Sequence, residues 1–204
     1  MNAYILRAKP HGIDQEEEFL SGQISVGWPC GKSLENCDRG VIASTLAKSY
    51  NTLSEISISM VDLFVHMPEG SIVLSPSINN KSLIHIFKTT SGYQYDSSKD
   101  NAACGNPHFI EAKHLKTVSR NTLPSPVFKS LSGARKTLSR ISQHYGILDN
   151  YISSGFNVTK KIVNNTDGPI DATTVLYDLL SSEDEHIRLQ AAIAVLNLGK
   201  NKKT

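Results

Sequence analysis

The 204-residue chain is 39% hydrophobic and 20% charged, a balance that excludes a disordered polymer and allows a buried core. Its formal net charge of +2 neither demands a polyanionic partner nor rules one out, because local patches decide such binding. The length suits one domain with an appendage, or two small domains.

Charge arrives at the N-terminus by Arg7, Lys9 and Asp14, so the segment lacks the apolar stretch of a signal peptide. No run approaches the roughly 20 apolar residues of a membrane helix. Cysteines stand at 30, 37 and 104, an odd number that argues against a closed disulfide framework. A cytoplasmic protein with reduced thiols and no membrane partner is therefore expected.

Ala3 to Ala8 is a short apolar run that predicts a strand. His11 to Asp14 reads as a turn ending in a helix N-cap, and the acidic residues at 16–18 follow where the helix macrodipole favours negative charge. Gln23-Ile-Ser-Val-Gly-Trp28 alternates and predicts a strand broken at Pro29. Two helices follow, Val41 to Tyr50 and Ser54 to Met67; in the second, Ile56, Met60, Leu63, Phe64 and Met67 recur at helical spacing. Pro68-Glu-Gly70 stops that helix, and Ser71 to Leu74 begins the next strand. Leu83 to Lys88 reads as a further strand, followed by residues 91–95, then Asp96 to Gly105 as a long polar loop and His108 to Val118 as a return to the sheet. Ser130 to Tyr151 is predicted as one helix, with Leu131, Ala134, Leu138, Ile141, His144 and Tyr145 on one side. Residues 153–169 are rich in Asn, Ser, Gly and Thr and read as a linker. Beyond them a helical hairpin is expected. Asp171 caps its first helix, a box from Ser182 to Glu185 opens the second, and Gly199 ends it. Ile187, Ala191, Ala194, Val195 and Leu198 give the second helix an apolar stripe, either a docking face on the first domain or a surface for a partner or self-association.

Several constellations imitate chemistry. Glu111-Ala-Lys113 with Asp100 upstream resembles the acidic set of metal-dependent nucleases, but Glu-x-Lys is frequent by chance and a solvated strand face is the better reading. Cys104 and His108 are four apart, but the Gly-Asn-Pro between them argues against a helix, Cys30 and Cys37 match no common zinc pattern, and Cys30 has no general base placed beside it by sequence. Gly27-Trp-Pro-Cys-Gly-Lys-Ser33 ends like a phosphate loop but has three residues between its glycines instead of four. No catalytic set, metal or cofactor is expected. Trp28, the single tryptophan, reads either as a core anchor or as a stacking platform for a base, with Arg7, Lys9 and Lys32 near it in sequence to meet phosphate.

Tyr4-Ile-Leu-Arg-Ala-Lys-Pro-His-Gly12, Ile24-Ser-Val-Gly-Trp-Pro29 and Asp62-Leu-Phe-Val-His-Met-Pro-Glu-Gly-Ser-Ile-Val-Leu-Ser-Pro76 resemble a bacterial N-terminal domain of Mrr-type restriction proteins and other defence proteins. Ile84 to Tyr95, Lys116-Thr-Val-Ser-Arg120 and Leu123-Pro-Ser-Pro continue the likeness in order, so that it spans about residues 1–150. The order of elements is similar to the PUA-like superfamily, with its EVE and YTH domains. That resemblance implies an α+β fold, a curled β-barrel with flanking helices, over residues 1–152, followed by the 153–169 linker and a small helical hairpin at 170–204. It implies a non-catalytic nucleic-acid or modified-base reader in which Trp28 stacks and Arg7, Lys9, Lys32 and Arg120 meet phosphate or base edges, with DNA preferred over RNA. Leu63 stands where this pattern has a large aromatic residue. The competing expectation is a protein-interaction or immunity role through residues 170–204.

Overall fold

The computed structural model describes residues 1–156, 176, 179–180 and 185–200, which fall into two compact units, 1–159 and 160–204. The first unit is built on a six-stranded sheet. Its strands are β1 (Ala3–Leu6), β2 (Gln23–Val26), β3 (Ile72–Pro76), β4 (Leu83–Tyr95), β5 (His108–Ser119) and β6 (Leu138–Arg140), in the order β2-β5-β4-β3-β1-β6. β1 pairs parallel with β3, and the other neighbours are antiparallel.

Period-two alternation sorts side chains to two cores. Ala3, Ile5, Ile72, Leu74, Ile84 and Ile86 face one of them, covered by Val127 and Leu131 of helix α4 (Ser125–Gly133) and by Leu148 and Tyr151 of α5 (Tyr145–Ser153). Tyr4, Leu6, Val73 and Phe87 face the other, with Ile24 and Val26 from the far edge of the sheet and Phe19 of α1 (Glu16–Ser21). Strands four places apart share that second core only because the sheet curls. Register breaks between Ile86 and Phe87 and between Thr89 and Tyr93 interrupt the β4–β5 ladder, the kind of irregularity that bends a long pair. The result is an α+β fold, a curled half-barrel flanked by helices.

Helices α2 (Arg39–Ser49) and α3 (Glu55–Val65) start where short polar side chains accept an orphan amide: Asp38 from Val41 N and Ser54 from Ser57 N. They enclose a third, smaller core of Leu34, Ile42, Leu46, Val61 and Val65. The strand expected at 83–88 runs on without a break to Tyr95.

The single helix expected from Ser130 to Tyr151 is not formed. Helix α4 ends at Gly133, β6 follows, and α5 begins at Tyr145. The reason is tertiary: β1 would otherwise be an open edge, and β6 pairs with it through Tyr4–Arg140 and Leu6–Leu138. Leu138 and Ile141 are then buried in different cores, which a single helical stripe cannot achieve. Past the expected boundary at 152, Phe156 packs edge-on against Tyr151, with centroids 5.6 Å apart.

In the second unit, helix α6 (Glu185–Lys200) opens on an acidic residue and runs through Gly199, its expected stop. Ala191 of the expected stripe is buried, whereas Ile187 is exposed, as are Leu189, Ile193 and Leu196. Most of the expected linker and of the first hairpin helix lie outside the described residues.

Candidate functional site

Trp28, two residues past the end of β2, has φ of 81°, a left-handed conformation that is uncommon for a bulky side chain and needs surrounding contacts to hold it. Those contacts are present. Its ring meets Tyr50 edge-on at 5.2 Å, and the Tyr50 hydroxyl donates to Pro29 O at 3.0 Å. Its carbonyl accepts a hydrogen bond from His108 Nε2 at 3.0 Å. Burial lowers the pKa of His108, so the ring is neutral, and with Nε2 protonated its Nδ1 must accept. The donor to Nδ1 is the Tyr93 hydroxyl at 2.7 Å, which itself accepts from Leu34 N at 2.9 Å. Burial pushes the Tyr93 phenol up to about 12, which keeps it a donor at neutral pH. Asp100 braces the same loop, accepting from Gly31 N at 2.8 Å and from the Tyr95 hydroxyl at 2.6 Å.

The relay gives a pH dependence whose sign follows from linkage. Because the folded state lowers the pKa of His108 from 6.5, its contribution to stability is complete above pH 6.5 and is lost as pH falls toward the folded value. His114 acts in the same sense, lowered by burial and by nearby His85. Stability from denaturant unfolding is expected to fall below pH 6.5 with a slope of up to about 1.4 kcal/mol per pH unit per proton. His108→Asn is expected to flatten that limb.

A different group of side chains lines an open cleft of about 410 Å³ beyond the C-terminal end of β1. Arg7 and Lys9 follow β1, Lys81 sits in the β3–β4 turn, and Arg120 follows β5, so distant segments bring four cations together with no carboxylate in the lining. Two of them are fixed in place. The Arg7 guanidinium donates to Ala134 O at 2.6 Å; that of Arg120 donates to Ser132 Oγ at 3.3 Å and lies 5.6 Å from the Phe128 ring centroid. Each guanidinium keeps further donors for a ligand. The expected site residues Arg7, Lys9 and Arg120 thus converge. Trp28 and Lys32 belong to the loop after β2 and are absent from this lining.

Below one rim lies a buried carboxylate that the sequence reading did not single out. Glu16 accepts from Ser77 Oγ at 2.6 Å, Ile78 N at 2.5 Å and Asn79 N at 3.3 Å. His85 Nε2 donates to it at 2.9 Å, and the other ring nitrogen of His85 lies 2.8 Å from Thr117 Oγ1. Desolvation of Glu16 is outweighed by these hydrogen bonds, and its pKa falls below the usual carboxylate value. Ser77 and Ile78 line the cleft, so Glu16 fixes the wall from behind.

The imitated chemistries do not assemble. Asp100 is committed to the Trp28 loop, while Glu111 and Lys113 are exposed on β5. Cys30 Sγ lies 3.8 Å from His108 Nε2, but that nitrogen already donates to Trp28 O, and burial raises the thiol pKa. A reactive thiolate needs the opposite arrangement. Among the described residues no cluster of His, Cys, Asp or Glu is placed to hold a metal ion, and no helix is long and apolar enough to cross a membrane. Tyr50, not residue 63, is the aromatic partner of Trp28; Leu63 packs against the core shared by Phe64 and Phe87.

No family model matches the chain, and no curated protein does. Among solved structures, it is similar to the YTH domain of Zygosaccharomyces rouxii MRB1 in complex with N6-methyladenosine RNA: 14% identity, TM-score 0.39, covering 80% of this chain and 91% of that one. It is likewise similar to protein Atu2648 of Agrobacterium tumefaciens, at 11% identity and TM-score 0.40, over 78% of this chain and 96% of that one. The expected preference for DNA over RNA is corrected: the YTH domain is in complex with RNA. At this low identity the likeness is one of fold, a curled sheet with flanking helices.

Proposed function

We propose that the first unit is a non-catalytic nucleic-acid-binding module whose ligand occupies the cleft between Arg7, Lys9, Lys81 and Arg120. The observation that carries this reading is the convergence of four cations from three separated segments on a concave surface without a carboxylate. A phosphate-bearing ligand is the chemistry that such a lining favours, and the cleft volume suits a small ligand or one nucleotide of a strand. Trp28 has its ring against Tyr50 and its carbonyl held by His108, so we assign it to anchoring the 27–34 loop. A setting in bacterial restriction or defence, which the sequence resemblance implies, belongs to the same proposal.

Fluorescence anisotropy with labelled single-stranded RNA, modified and unmodified, tests the reading. Salt-sensitive binding that weakens when the cleft cations are neutralised supports it; no binding at low salt sinks it. A second reading, a protein-interaction surface in the second unit, is favoured by exposed Leu189, Ile193 and Leu196 on α6. Loss of a co-purifying partner on removal of residues 170–204, with RNA binding intact, would support that reading.

A further inference from the structure

A second cleft, of about 450 Å³, adjoins the first and shares Ala134 with it. Its floor is apolar, formed by Ile56, Met60 and Leu63, and its rim carries Arg135, Lys136 and Arg140. The segment between the clefts is held by the residue that follows β1: Arg7 N donates to Thr137 O at 2.9 Å while its guanidinium donates to Ala134 O at 2.6 Å. Neither lining contains an Asp or Glu, although the chain has 19 of them.

Seven cations on two adjoining clefts, bridged by a pinned backbone segment, form a track longer than one nucleotide needs. We infer that the second cleft is a subsite for the continuation of the same single-stranded nucleic acid. The strand's phosphates cross Ala134 and meet Arg135 and Lys136, while a base lies on Ile56, Met60 and Leu63. The pairing of an apolar floor with a basic rim is what a strand with an apolar base face and an anionic backbone requires. Continuity with the first cleft favours this occupant over a separate acidic peptide. The inference rests on the proposed reading of the first cleft.

The test compares full-length protein binding to a short RNA of about three nucleotides and a longer one of about eight, a span within known single-strand site sizes. The longer RNA is expected to bind about ten-fold tighter, the scale of two extra phosphate contacts near physiological salt. Arg135→Gln with Lys136→Gln is expected to remove that gain, lower the salt slope on the longer RNA by about 1.4, and leave the short RNA unaffected. Ile56→Glu, at an exposed floor position, is expected to have the same length-selective effect. If the longer RNA binds the variants as tightly and with the same salt slope as the unaltered protein, the second subsite is refuted while the first stands. Absence of binding by either RNA to the unaltered protein overturns both readings.

Discussion

Arg7→Gln combined with Arg120→Gln is expected to weaken binding of single-stranded RNA by about ten-fold or more and to lower the slope of log K against log salt by about 1.4. The effect should be large because both guanidinium groups are held before any ligand arrives, by Ala134 O for Arg7 and by Ser132 Oγ and the Phe128 ring for Arg120. Preorganised cations spend little conformational entropy on binding. Arg7→Lys keeps the charge but not the planar fork, so it is expected to preserve the salt slope while lowering affinity. Lys32→Gln, outside the cleft lining, is expected to change affinity by no more than about two-fold.

Glu16→Ala is expected to cost about 3–5 kcal/mol of stability, the range for removing one member of a buried charged network. The side chains of Glu16 and His85 are 7% and 6% exposed, and the substitution leaves Ser77 Oγ, Ile78 N and His85 Nε2 without their acceptor. A midpoint fall of about 10 °C in thermal unfolding is the corresponding measurement, at the usual few degrees per kcal/mol for a domain of this size. The stabilisation is also pH-dependent. Since the folded pKa of Glu16 lies below 4.5, its contribution is complete above pH 4.5 and is lost as pH falls through the folded value. RNA affinity should weaken in the same variant, because Ser77 and Ile78 line the cleft that Glu16 supports.

Local patterns were legible where local physics decides. The apolar run of β1, the alternation in β2 and the break at Pro68 all belong to short windows of sequence, and helices α2 and α3 fall where spacing predicts them. The 130–151 stretch misled because its helical period competes with the open edge of β1, a partner more than a hundred residues away. The site divides in the same way. Arg7, Lys9 and Arg120 could be singled out as cations, but their convergence with Lys81 depends on the strand order that sets the ends of β1, β3 and β5 at one end of the sheet. Proximity in sequence suggested joining Trp28 and Lys32 to them, and neither lines this cleft. Glu16 read as a first-turn helix acid, and nothing within its own segment points to Ser77 or His85, more than sixty residues on. His108 was a lone histidine until β5 placed it under Trp28 O and beside Tyr93.

Mapping the contact directly tests the central claim. Ultraviolet cross-linking of full-length protein to single-stranded RNA, followed by mass spectrometry of the conjugated peptides, reports which residues touch the ligand. Conjugates are expected around Arg7 to Lys9, Ser77 to Lys81 and Arg120 to Ala134. Conjugates confined to the Trp28 to Cys37 loop or to α6, with the cleft peptides unmodified, would contradict it.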